Sequence, residues 1–257
     1  MASIIDHNGI ERKLGLLPLD ENSKALLASK PSFSQYLSDN NLPLYPESAW
    51  EERNPEFGDE FVLDQEQTNG CVGFSEAAAE MKIRSLRGMP FEILSGAFSY
   101  SLVNGGHDGG AQIIAARDAA EQHGHALKSE FDLPHIYWNQ VPASVRQSAL
   151  ERKSRISYRI SNAEEAASAI MEGFVVQAGV CVGGNFNSLT REGIAGYTRG
   201  YANHSIHLFG LMRIGGEWFW KMGNTWSTNW ALRGNCWLYK YAPIWGDAFA
   251  HIDSERV

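Results

Sequence analysis

A polar, turn-rich loop that ends in a cysteine and runs into a stretch of helix formers constrains this chain more than any other feature. It reads Asp64-Gln65-Glu66-Gln67-Thr68-Asn69-Gly70-Cys71-Val72-Gly73-Phe74-Ser75. From Ser75 to Arg87 the chain is rich in alanine and holds no glycine or proline, which predicts a helix from Cys71 to about Leu86. Cys71 then lies in the first helical turn, where the positive end of the helix dipole favours the thiolate, the reactive form of cysteine. A cysteine at such a position is also often a small buried hydrophobe, so the rest of the chain decides its role.

The 257 residues make one large domain or two small lobes, and 44% hydrophobic content is ample for a core. The net charge is 22 − 30 = −8, which points away from nucleic acid and anionic membrane surfaces as partners. No apolar run approaches the roughly 18 residues of a membrane span. Met1 to Leu14 lacks the apolar core of a signal peptide, so a cytoplasmic or virion-associated protein is expected. Three cysteines, Cys71, Cys181 and Cys236, cannot build a disulfide framework, and a reducing compartment fits them. Cys181 and Cys236 read as inert core thiols. The histidines show no zinc-ligand spacing, and neither metal nor cofactor is expected.

Three segments follow from the pattern. Residues 1–42 are mostly polar, broken by Pro18 and Pro31 and closed by Pro43, and read as an N-terminal extension: a short pro-segment or a docking arm. Short helices are expected at Ser23–Ser29 and Ser32–Leu37. Residues 43–150 form a helical lobe: extended chain to residue 70, the Cys71 helix ended by Gly88 and Pro90, a short helix from Leu94-Ser95, a glycine-rich turn at residues 104–110, and a helix from about Ala111 to Gln122. That turn lacks the phosphate-loop order. Residues 151–257 form a β-rich lobe. Ile156, Tyr158 and Ile160 alternate with polar residues as in a strand. Ser161 and Glu164 suggest a capping box. Strands are expected over 174–182, 205–214, 217–222 and 236–241. Helices first and strands second give an α+β protein.

A nucleophilic cysteine needs a base, and the base needs an orienting group. His204 and His207 lie in a strand-like run; three residues apart, they face opposite ways, so only one can face Cys71. In Gly223-Asn224-Thr225-Trp226, Asn224 is placed to accept the imidazole N–H and Trp226 to shield that bond from water.

Here the chain resembles the papain-like cysteine peptidases. Gln65 precedes Cys71 by six residues, and Cys71, Phe74 and Ser75 match the family's Cys-x-x-Phe-Ser. Leu94-Ser95 and Asn104-Gly105-Gly106 match a second signature. His204 with Gly210 matches a third, and Asn224, Trp226 and Trp230 a fourth. Pro46-Glu47-Ser48-Ala49-Trp50 resembles the family's mature N-terminus. The resemblance covers roughly residues 43–242, in order. It implies a two-lobed fold, a helical lobe and a β-barrel-like lobe, with the active site in the cleft between them. It implies Cys71 as nucleophile, His204 as acid and base, Asn224 as its orienter, and the Gln65 amide with the Cys71 N–H as oxyanion hole. Gly105 and Gly106 would hold the substrate backbone, with His107, Asn203, Ser205 and Trp226 lining the substrate site. The expected substrate is a peptide or protein.

The departures from the family pattern concern regulation and setting. The disulfide cysteine near the nucleophile is absent, Val72 stands where the family has Trp, Val103 where it has Cys, Ser227 where it has Gly, and Asn203 where it often has an acid. Nothing in residues 1–42 resembles the long helical propeptide. These features suggest a divergent bacterial or viral member. Two other readings stay open: a fold kept as a component of a larger assembly, such as a viral particle, docked through residues 1–42 with vestigial catalysis; and the same triad serving a different acyl transfer. The sequon Asn203-His204-Ser205 falls at the candidate histidine and is not expected to carry a glycan.

Overall fold

The computed structural model describes residues 2–244 and 246–252. The chain opens with an arm. Strands β1 (Ala2–Ile5) and β2 (Glu11–Leu14) form an antiparallel hairpin. Its turn is fixed by Asp6, whose carboxylate accepts the N–H groups of Asn8 and Ile10 and pairs with Arg12. Helix α1 (Glu21–Ser29) is capped by Asp20, and α2 (Phe33–Asp39) by Ser32, each side chain accepting an N–H three residues on. The two helices fall where the sequence pattern puts them. The hairpin was not expected: its strands are only four residues long, the first is largely exposed, and part of its anchor is distant in sequence.

The body begins with α3 (Cys71–Leu86), α4 (Gly96–Ser101), α5 (Ile113–His123) and α6 (Ala143–Ala149). Then come β3 (Tyr158–Arg159), α7 (Ala163–Met171), β4 (Val175–Val180), β5 (Ile194–Ala195), β6 (His204–Ile214), β7 (Glu217–Gly223), β8 (Asn235–Tyr239) and β9 (Ala248–His251). The cap of α7 is Asn162 rather than Ser161, and Glu165 rather than Glu164 reaches back, to the Ser161 N–H. The Asn162 carboxamide oxygen accepts the Glu165 N–H at 2.9 Å.

The β-strands of the body form one sheet in the order β3-β9-β4-β6-β7-β8-β5, and only β5 with β8 is parallel. Among the described residues no ladder joins β3 to β5, so the sheet is open rather than a closed barrel. Both edge strands are two residues long, too short to seal a ring. β9 was not foreseen from the sequence. It inserts between β3 and β4, which makes β4 an interior strand with every residue buried.

Two apolar cores result. One fills the helical lobe around Phe74, Phe98, Tyr100 and Ile114. The other lies in the β-rich lobe around Trp220, Trp226, Val176 and Leu208. The arm contributes to both: Leu14, Phe33 and Leu37 pack in the β-rich core and Leu16 in the helical one. No helix among the described residues is long and apolar enough to cross a membrane.

Helix α3 runs between the cores and is buried from Cys71 to Ile83. Its polar side chains must therefore find partners inside the protein. Glu76 pairs with Arg117 of α5, which also donates to His251 Nδ1 of β9 at 2.9 Å. Glu80 accepts from Ser154, whose hydroxyl lies 2.9 Å from His125 Nε2. Burial pushes the Glu76 carboxyl up to about 7 despite the guanidinium beside it. Arg117→Met should cost roughly 3–5 kcal/mol, because it strands a buried charge. A carboxyl with a raised folded pKa stabilises at low pH and loses that contribution as pH rises through the folded value. Thermal unfolding of the variant should thus show a larger deficit at pH 8 than at pH 5. Equal deficits at both would contradict this account.

Candidate active site

Gly70 precedes α3 and gives it no side-chain cap, so the N–H groups of the first turn are left without a capping partner at the helix start. Cys71 follows at 0% exposure. Its sulfur receives the backbone N–H groups of Ser205, Gly15 and Val72, yet complete burial pushes the thiol up to about 11. In this closed arrangement the sulfur is a thiol near neutral pH.

His204 opens strand β6 and Ser205 follows it, so the Ser205 N–H at the sulfur brings the start of the strand, with His204, to Cys71. The two histidines of the strand take different surroundings, as strand geometry requires. His207 turns toward Ser75 of α3, 3.5 Å away, while His204 turns toward Asn224. His204 Nε2 lies 2.8 Å from Asn224 Oδ1, an acceptor, so Nε2 carries the proton and Nδ1 is left as a bare acceptor with no partner. Asn224 Oδ1 is held in place by the Thr225 N–H at 2.8 Å. The Trp226 ring covers the imidazole at 4.8 Å between centroids. Burial drives the His204 pKa down to about 4, against the stabilising bond from Asn224.

Gln65 is also fully buried. Thr225 Oγ1 donates to its Oε1 at 2.8 Å, which aims the amide nitrogen toward the helix start. That nitrogen donates to Thr68 O at 2.9 Å and to Lys13 O at 3.1 Å. A peptide carbonyl of the arm thus sits on the donor expected to bind an oxyanion.

The arm crosses the cleft from end to end. Arg12, buried, donates to Asp6, to Asp64 at 3.0 Å and to the Trp226 carbonyl at 2.8 Å. Gly15 passes over Cys71 so closely that a Cβ there would overlap the Asn69 carbonyl. Leu16 N–H donates to Asn203 O at 3.1 Å, and Leu16 packs beside Gly179, Ala202 and Ile113. Ala111 pairs with the arm in parallel register: its N–H donates to Gly15 O and its carbonyl accepts from Leu17.

The remaining sequence-predicted residues divide. Asn203 borders the arm, and its side-chain amide ties down Val182 with bonds of 2.8 and 3.0 Å; Ser205 meets the Cys71 sulfur with its N–H, and its Oγ accepts from Gln177. Gly105, Gly106 and His107 lie in an exposed turn, and the backbone beside the arm is that of Ala111. Sequence reasoning passed over Thr225, which orients Gln65, and over Asp108. Asp108 accepts from Asn69 N–H and the Tyr100 hydroxyl, both at 2.8 Å, and so fixes the loop before Cys71. A signal for Asp108 existed in the second glycine pair, Gly109-Gly110, immediately after it. Among the described residues no group of three or more His, Cys, Asp or Glu is arranged to hold a metal ion.

No family model and no curated protein matches the sequence. Solved structures do match. Xylellain, a cysteine protease from Xylella fastidiosa, superposes with a TM-score of 0.70 at 15% identity over 95% of this chain and 98% of that one. The bromelain protease from Ananas comosus, in complex with the E64 inhibitor, gives 0.61 at 17% identity over 75% and 93%. Procathepsin B from Trypanosoma congolense gives 0.60 at 15% over 95% and 87%. Identities this low speak to architecture alone, and on that ground the chain has the two-lobed α+β fold of the papain-like cysteine proteases.

Proposed function

We propose that this protein is a cysteine peptidase whose own N-terminal strand closes its active site. The observation that carries the reading is the course of residues 12–17: an extended piece of peptide lies across Cys71, with one carbonyl on the Gln65 amide and a side chain in a neighbouring pocket. A cleft that binds extended backbone beside a helix-start thiol and an oriented imidazole has the parts for attack on a peptide bond.

With the arm withdrawn, water reaches the pair and the burial that keeps both groups neutral is relieved. The Cys71 proton passes to His204, giving a thiolate and an imidazolium. The sulfur attacks the substrate carbonyl carbon. Gln65 Nε2 and the Cys71 N–H bind the oxygen as it becomes negative. The carbon–nitrogen bond breaks, His204 gives its proton to the departing amine, and a thioester remains. Water, deprotonated by His204, then releases the acid and restores the thiol. Asn224 holds the imidazole orientation throughout.

The removable part of the arm is short. Phe33 and Leu37 belong to the β-rich core, whereas α1 has no buried residue. Release of residues up to about Leu17 frees the cleft, and residues from α2 onward stay as structure. This reading predicts that Gly15→Val, which drives a side chain into the Asn69 carbonyl, unseats the strand. Hydrolysis of a fluorogenic peptide by Gly15→Val should exceed that of the native chain at least roughly tenfold. Indifference to the substitution would remove the arm from the account. In the Gly15→Val background, Cys71→Ala should abolish turnover, and Gln65→Ala should lower kcat by about 10²–10³-fold, as loss of an oxyanion donor does. Turnover that survives Cys71→Ala would end the cysteine-peptidase reading.

A further inference from the structure

A second cavity lies outside the catalytic cleft: none of Gln65, Cys71, His204 and Asn224 lines it. Its volume is about 260 Å³, room for a bicyclic ring with a short side chain. Residues 54–59, strands β6, β7 and β8, and the turn before β8 supply its walls. Lys221 and Trp237 are cross-strand partners and share a face of the sheet. The β6 register shifts between Leu208 and Gly210, and Phe209, at that irregularity, stands beside them. The Lys221 ammonium is 5.6 Å from the Phe209 ring centre and 5.9 Å from that of Trp237. Phe57 meets Phe209 edge-on at 5.5 Å. Three rings thus give the cavity flat apolar walls.

The charges around these rings do not cancel. Lys221 is satisfied: Asn54 Oδ1, the Pro55 carbonyl and Glu56 Oε1 accept from it at 2.6, 3.1 and 3.0 Å. Arg233 at the mouth pairs with Asp59. Lys82 of α3 stands over. It is 1% exposed, and its ammonium lies 5.4 Å from the Phe57 ring centre and 5.0 Å from that of Phe209. Its one neutral partner is the Phe61 carbonyl, and among the described residues no carboxylate pairs with it. Burial and the Lys221 charge lower this ammonium to about 7, so an anion close by is favoured. The rim has two further features. Asn235 spends its amide nitrogen on the Leu232 and Arg233 carbonyls, and its Oδ1 is buried with no hydrogen-bond partner, which calls for a donor. Arg233 holds a left-handed backbone, φ 53°, costly for any residue with a side chain. Its pair with Asp59 is exposed and therefore weak, so a carboxylate entering the cavity can take the guanidinium over.

We propose that this cavity is a ligand site for a small planar aromatic acid whose ring carries a hydrogen-bond donor. The ring lies against Phe57, Phe209 and Trp237. Its donor meets Asn235 Oδ1, and its carboxylate takes Arg233 at the mouth, in the field of Lys82. A cationic head would face Lys82, Lys221 and Arg233 together, and a neutral ring would leave Lys82 uncompensated. The site does not depend on the peptidase reading, because no residue of the proposed machinery touches it.

Four probes separate these contributions by isothermal titration calorimetry on the full-length chain. Indole-3-acetate has ring, donor and carboxylate. Naphthalene-1-acetate lacks the donor, 3-methylindole lacks the carboxylate, and tryptamine replaces it by an ammonium. Indole-3-acetate should bind one to one with a Kd below about 1 mM, as suits a ligand of this size. The other three should bind at least roughly tenfold more weakly, the scale of one good hydrogen bond or charge pair. Arg233→Gln, at an exposed position that does not threaten the fold, should weaken indole-3-acetate about tenfold and leave 3-methylindole within about twofold. Lys82→Met should reduce the preference for indole-3-acetate over 3-methylindole several-fold. The Gly15→Val chain should bind indole-3-acetate as the native chain does. Absence of saturable binding, or tryptamine binding as tightly as indole-3-acetate, overturns the proposal. So does an affinity unmoved by Arg233→Gln, or one raised by Gly15→Val, which would put the ligand in the catalytic cleft. Equal binding of naphthalene-1-acetate and indole-3-acetate overturns the role given to Asn235.

Discussion

The architecture depends on burying one helix on all sides. Helix α3 presents Cys71 at its first residue, and buried positions continue to Ile83. A helix so placed has no water with which to satisfy polar side chains, so each becomes a tie to another element. Glu76 binds α5 and lies near β9, Glu80 binds the segment after α6, Ser75 meets β6, and Lys82 donates to Phe61 O at 3.2 Å among the rings of Phe57, Phe61 and Phe209. These ties fix where the helix ends and hence where the sulfur stands. Burial also sets its chemistry: with solvent excluded, the dipole and the backbone N–H groups around the sulfur do not hold the thiol ionised, and its pKa rises to about 11.

The arm completes that burial. Residues 12–17 cover Cys71, engage the Gln65 amide and fill the pocket beside Gly179. The closure is steric and electrostatic at once. Arg12 fastens the strand at one end, with Asp6, Asp64 and the Trp226 carbonyl as partners, and the Ala111 backbone holds the other. Between these anchors the strand depends on glycine: Gly15 passes the Asn69 carbonyl, and Gly110 leaves room for the Gly15 carbonyl. A contact this thin is open to disruption by one side chain, while Phe33 and Leu37 of α2 remain part of the β-rich core.

Much of this was legible in the sequence where the chemistry is local. The Cys71 helix follows from alanine-rich composition and the absence of breakers, and Gln65, His204 and Asn224 stand out by spacing; all four are brought together at the cleft. Features set by distant contacts were not legible. The hairpin of residues 2–14 has short strands, the first of them largely exposed, and is held by Arg12, which finds carboxylates 6 and 52 residues away. Strand β9 is only four residues, and its role follows from its neighbours β3 and β4. The glycine-rich turn holds two Gly-Gly pairs. Motif order selects Gly105-Gly106, but the path of the loop, pinned by Asp108 to Tyr100 and Asn69, brings Gly110-Ala111 to the arm. Pattern alone cannot separate two such pairs four residues apart.

The central claim is that Cys71 is a nucleophile kept protonated by its own covering strand. The direct measurement is the rate of Cys71 alkylation by iodoacetamide as a function of pH, followed by mass spectrometry, in the native chain and in Gly15→Val. The account predicts slow labelling at neutral pH in the native chain, rising only toward the alkaline range, and a midpoint several units lower in Gly15→Val, since thiolate forms once burial is relieved and His204 can take the proton. Identical profiles in the two chains, both with the midpoint of an ordinary exposed thiol, would contradict it.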